Sequence, residues 1–123
     1  MPDHFNEIMP ESDARVLCVR ITKPISYDGF KNNFLPHLES LLKTSGEIRL
    51  LVDYADFQGW EAQAALKDFE TFFKFGAKIS KIAFVSPPEK EIFKLKMNRP
   101  LIGGEMRFFN KNELNAALDW VRE

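Results

Sequence analysis

Residues 48–60 read IRLLVDYADFQGW, and the change of character inside that stretch decides the fold. Residues 48–53 form a near-continuous apolar run of strand length, the pattern of a parallel strand covered on both faces. A short polar turn follows, and then Gly59 and Trp60 stand where a helix begins. In α/β proteins, ligands and reactive groups gather at such carboxyl ends of strands. Asp53, Asp56 and Gly59 are therefore the first site candidates. Each also has a structural reading. Aspartate accepts backbone amides in turns, and glycine allows a tight strand-to-helix corner. Trp60 can plug the top of a core or line a ligand site.

Working outward, residues 61–75 place Ala62, Ala65, Leu66, Phe69 and Phe73 on one helical face, with Lys67, Thr71 and Lys74 turned away. Gly76 ends that helix. Upstream, Tyr27, Phe30, Phe34, Leu38, Leu41 and Leu42 recur at three- and four-residue steps, which predicts an amphipathic helix over 27–43 capped by Ser26. Pro36 lies inside it and imposes a kink or a late start. Residues 15–21 (RVLCVRI) form a strand, and residues 4–9 form a short edge strand paired to it as an antiparallel hairpin.

Downstream, residues 81–85 (KIAFV) are a buried strand and residues 89–98 a short helix stopped by Pro100. Gly103 and Gly104 read as a flexible joint before the last strand, residues 105–109 (EMRFF). Asn110 with Glu113 has the form of a capping box. Leu114, Ala117, Leu118 and Val121 then give the final helix its core stripe. The order ββαβαβαβα predicts one α/β sandwich over residues 1–123: a five-stranded, mixed but mostly parallel sheet with about four helices.

A length of 123 residues fits one domain, and a net charge of −1 gives no electrostatic ground for a nucleic-acid partner. No apolar run reaches the roughly 18 residues of a membrane span, and the first residues lack a signal-peptide pattern, so a cytoplasmic location is expected. Cys18 is the single cysteine, set in an apolar run, and reads as a buried thiol rather than a nucleophile. His4 and His37 have no neighbours at metal-ligand spacing. No Ser-His or Cys-His arrangement and no phosphate-cradling glycine loop is present. Neither cofactor nor metal nor catalysis is expected. An enzyme using Asp53 or Asp56 is the least favoured reading.

The element order, together with LLVDYADFQGW, KIAFVS, EMRFF and the closing ALDWV, resembles the SpoIIAA-like proteins, relatives of the STAS domain. The most specific part is the arrangement of Asp53, Phe57, Gly59 and Trp60. The resemblance implies a SpoIIAA-like sandwich, a fold shared with the CRAL-TRIO lipid carriers. Anti-sigma-factor antagonists of the STAS superfamily are phosphorylated on a serine at the head of the helix after the third strand. From Gly46 through Glu70 this chain has no Ser or Thr, so that switch does not carry over. A protein-interaction module docked through residues 53–60, without phosphorylation, remains as an alternative.

The favoured expectation is a non-catalytic binding module that contacts an apolar or lipid-like ligand or a membrane surface. Phe72 flanks the stripe of the second helix, and Phe75 points well away from it among lysines. In the next helix Phe93 and Met97 form a face separate from Ile92 and Leu95, beside Lys90 and Lys94. Trp60, Phe72, Phe75, Phe93, Met97, Leu101 and Ile102 are thus the ligand or membrane candidates, with core filling or a homodimer contact as the plainer uses. Pro88 and Pro100 bound a segment that leads into the two glycines and is expected to move as a unit. A total of 12 Phe, more than one small core uses, predicts self-association as a dimer.

Overall fold

The computed structural model describes residues 6–59, 70 and 74–123. Five strands, β1 (Asn6–Ile8), β2 (Leu17–Ile21), β3 (Ile48–Asp53), β4 (Ile79–Val85) and β5 (Glu105–Phe109), lie side by side in chain order. β1 runs antiparallel to β2, and every other neighbouring pair is parallel. The mixed, mostly parallel sheet is the one the sequence predicts. β2 starts at Leu17 rather than at residue 15, because the Asp13 carboxylate accepts the Arg15 and Val16 amides at 2.8 and 3.0 Å. Those two residues are held in the turn before the ladder can begin.

The period-two alternation of the strands sorts the core into two layers. Leu17, Val19, Ile21, Leu50, Val52, Ile82 and Phe84 bury one face. Cys18, Leu51, Ala83 and Val85 bury the other. On the first face lie Phe30 and Phe34, the helix Leu35–Ser45 through Leu38 and Leu41, and helix α3 (Glu89–Met97) through Leu95. A parallel sheet that steps one way with right-handed crossovers places its connecting helices on one face. The terminal helix α4 (Leu114–Arg122) then folds back over the other face with Ala117, Leu118, Trp120 and Val121. Arg49 and Lys81 donate to the Val121 and Trp120 carbonyls at 2.9 and 3.1 Å, closing its last turn with positive charge.

The first crossover shows how Pro36 is accommodated. Helix α1 (Tyr27–Gly29) passes into a wide π turn, Phe30–Phe34, and then into α2 (Leu35–Ser45), with Pro36 in its first turn. The Leu35 amide reaches back to the Phe30 carbonyl, and this five-residue bond keeps the proline ring from colliding with the turn before it. Ser26 accepts the Gly29 amide at 3.0 Å, as its expected capping role requires. The capping box of Asn110 and Glu113 also forms, with the Asn110 amide 2.7 Å from the Glu113 carboxylate.

One expectation about the chain around α3 is corrected. Gly103 and Gly104 are no swinging joint, for their amides bond the Gly76 and Ile79 carbonyls at 2.8 and 2.9 Å. A Cβ on Gly104 would lie 2.0 Å from the Ser80 carbonyl oxygen, and one on Gly76 the same distance from that of Leu101. The glycines are there for close approach of backbone to backbone, which fixes the segment instead of freeing it. The helix expected over 61–75 lies outside the described residues except for Glu70, Lys74 and Phe75, which are helical and run into a 3-10 turn, Gly76–Lys78.

Candidate functional site

Parallel pairing aligns Arg20 with Asp53, Asp53 with Val85, and Val85 with Phe109, so the carboxyl ends of four strands form one row. Asp53 stands in that row and is 4% exposed. One carboxylate oxygen accepts from Arg20 Nε at 3.1 Å, and the other accepts the Ala55 amide at 2.9 Å. The hydrogen bond that Arg20 donates to Asp53 is the main reason its guanidinium is held above its ordinary pKa. The turn beyond is fastened on both sides. Tyr54 donates its amide to Val85 at 2.9 Å, Gly59 accepts from Ile25 at 2.9 Å, and Gln58 Nε2 donates to the Thr22 carbonyl at 3.0 Å. Gly59 has φ +100°, a conformation that side chains rarely adopt. Asp53 and Gly59 therefore build the corner, while Asp56 is exposed.

Sequence reasoning missed Arg20 as the partner of Asp53. Its signal was a charge interrupting the apolar run 15–21 at the height where β3 ends. It also missed Ser86, which follows β4 with φ +58° and donates its amide to Phe109 at 2.8 Å. Ser86, Pro87, Ile92, Phe108 and Asn110 line a cleft of about 210 Å³ there. An open groove of about 440 Å³ lies between the β1–β2 hairpin and α2, floored by Ile8, Leu17 and Leu41. Its rim residues are internally bonded: His37 Nδ1 lies 2.7 Å from the Asn33 carbonyl, and Thr44 donates to the Ser40 carbonyl at 2.8 Å.

The apolar candidates part company. Trp60 and Phe72 lie outside the described residues. Phe75, expected to face outward, is buried in the larger core with the Lys74 ammonium 5.2 Å above its ring. The helical period that pointed it outward stops applying where the chain tightens into the turn at Gly76. Ile102 is buried too, and Leu101 is half-buried, because a 3-10 turn, Arg99–Leu101, brings the chain straight back to the sheet. Phe93 and Met97 are 69% and 67% exposed. One helical turn apart, they share the outer face of α3, roughly opposite the buried Glu91 and Leu95. Lys90, Lys94, Lys96 and Arg99 are exposed around them, together with Glu89. Lys94 pairs with Glu91 at 3.4 Å, and Lys96 lies 6.0 Å above the Phe108 ring.

No described helix is long and apolar enough to cross a membrane. Among the described residues, no three His, Cys, Asp or Glu side chains converge on a point that could hold a metal ion.

No curated protein matches the chain. Among solved structures, it is similar to an uncharacterized protein with a SpoIIAA-like fold from Shewanella loihica. The two are 24% identical over 94% of this chain and 91% of that one, with a TM-score of 0.70, a likeness of fold. The sequence pattern of the SpoIIAA-like family matches residues 16–122, from the start of the parallel sheet to the end of α4. This chain belongs to the SpoIIAA-like family.

Proposed function

We propose that this chain is a non-catalytic binding module that docks reversibly on an anionic lipid surface through the outer face of α3. The observation that supports it is the exposure of Phe93 and Met97, 69% and 67%, on a helix whose opposite face is anchored in the core. Large apolar side chains on a rigid helix, ringed by lysines, suit the boundary between headgroups and acyl chains. Fully burying two such side chains is worth about 1.5–3 kcal/mol each. Lysines near an anionic surface add about 1 kcal/mol apiece. The sum gives weak, reversible attachment, since part of each term is offset by the ordering of the bound protein. The acid nearest this face, Glu91, is buried and held by Lys94 at 3.4 Å, so the reading assigns the face no chemistry. Asp53 has both carboxylate oxygens engaged in structural bonds.

A second reading is docking of a protein partner on the turn after β3, where a corner fastened at both ends presents the exposed Ala55, Asp56 and Gln58. Co-sedimentation with vesicles separates the two. At low salt the protein is expected to pellet with phosphatidylserine-containing vesicles, to do so less with phosphatidylcholine alone, and to be released by added salt. Failure to bind phosphatidylserine vesicles at low salt sinks the lipid reading.

A further inference from the structure

β5 ends the sheet, and among the described residues no strand pairs with its outer side. An open edge is a template for another chain, and natural proteins usually guard it with charge. β5 reads Glu105, Met106, Arg107, Phe108, Phe109, so its guard consists of opposite charges two residues apart. Both Glu105 and Arg107 are exposed and stand on the same face of the strand. Arg107 is steadied there by the Trp120 ring, 5.4 Å away.

The ladder to β4 fixes which backbone groups look outward. Phe109 accepts from Ser86 on the β4 side, and bonding alternates along an edge strand, so Met106 and Phe108 turn their amides and carbonyls away from the sheet. We propose that this edge pairs with β5 of a second copy, antiparallel and centred on Met106, to make a two-fold dimer with a continuous ten-stranded sheet, five strands from each copy. In that register the two Met106 residues exchange amide and carbonyl bonds. Each Glu105 then falls directly opposite an Arg107 of the other copy, in the closer, non-hydrogen-bonded kind of pair. The neighbouring registers lack this match. Centring on Arg107 sets two guanidinium groups against each other. Centring on Phe108 sets Arg107 opposite Phe109 and carries Glu105 past the end of the partner strand, to the level of Lys111 in the 3-10 turn. The charges that repel foreign edges thus accept a copy of themselves in one register, the self-complementarity that a two-fold contact requires.

Charge exchange tests this directly. Sedimentation equilibrium of the wild-type protein is expected to show a dimer. Glu105→Arg and Arg107→Glu, each turning two attractive pairs into two repulsive ones, should weaken it about tenfold. The double variant E105R/R107E should restore it. Met106→Pro deletes the outward amide, together with a side chain that packs partly on the larger core, and should also yield monomer, while circular dichroism shows the sheet intact. Arg107→Glu also loses its place on Trp120, so if it fails to fold, Glu105→Arg and Met106→Pro decide the matter alone. A monomeric wild type overturns the proposal. So does a dimer indifferent to Glu105→Arg and Met106→Pro, or a folded double variant that remains monomeric.

Discussion

At Asp53 both carboxylate oxygens are occupied, one by a guanidinium and one by a backbone amide, and the residue is buried. At Phe93 most of the ring meets solvent, on a helix with no need of it for packing. The turn after β3 has the residue types of an active site and its hydrogen bonds are spent on holding the corner. The outer face of α3 has ordinary core residues and leaves them in water. A satisfied carboxylate gains nothing by meeting a ligand, whereas an exposed phenyl ring beside a methionine does. The difference assigns structural work to the carboxyl row of the sheet and leaves the outer face of α3, the face proposed above for binding, in solvent.

The largest expected effect tests whether α3 is a fixed platform. Gly104→Ala drives a methyl group against the Ser80 carbonyl, 2.0 Å from the Cβ position, and backbone has to move. Stability should fall by about 3 kcal/mol, read by urea unfolding. A neutral result would mean that the glycine pair is free and that α3 can swing.

Next comes a loss confined to alkaline pH, which separates burial from ion pairing on β2. Cys18 is fully buried, two residues before Arg20 and on the same face of the strand. Burial pushes its thiol up from 9.0 to about 11. The folded chain therefore holds this proton after the unfolded chain has lost it, and stability should decline as pH rises from about 9 to 11. The loss amounts to roughly 2–3 kcal/mol, and Cys18→Ala should lack this part of the slope. Arg20, held above its ordinary value chiefly by its hydrogen bond to Asp53, stays protonated throughout that range and contributes nothing to the decline. Equal slopes for wild type and Cys18→Ala would show that the thiol is not the cause.

Asp53→Ala should cost about 2 kcal/mol, since it leaves the Ala55 amide and the Arg20 guanidinium without their acceptor. Asp56→Ala, at an exposed position of the same turn, should change stability by under about 0.5 kcal/mol. Equal costs at the two sites would remove the assignment of the corner to Asp53.

The sheet was legible because parallel strands announce themselves. β3 has the bounds expected from its apolar run, since a doubly covered strand admits few polar residues, and β5 has its expected bounds between Gly104 and the capping Asn110. What was not legible depends on registers and close approaches that a linear pattern does not encode. Arg20 meets Asp53 only because β2 and β3 pair with those residues level. Gly103 and Gly104 look the same in sequence whether they free a hinge or let two backbones touch. Phe75 belongs to a helical face by period and to the core by the turn that follows it. The phenylalanine count does not say which rings pack. Of the eight described phenylalanines only Phe93 is exposed, and the others serve the two core layers, as in the stack of Phe84 on Phe108, 5.7 Å between ring centres.

The smallest expected effect on stability is the most informative about function. Phe93 and Met97 make little use of the core, so Phe93→Ala with Met97→Ala should shift the unfolding free energy by no more than about 0.5 kcal/mol. Both replacements also favour the helix, alanine being its best former. Binding to phosphatidylserine vesicles should nevertheless fall about tenfold for each side chain removed, the loss expected from partial insertion into the interface. Lys90→Gln should weaken binding less and mainly at low salt, because a lysine attracts through a screened field while a phenyl ring inserts. Full binding by the double alanine variant would detach the lipid contact from α3. A large loss of stability in that variant would show that the two side chains serve the fold, and the contrast with Asp53 would disappear.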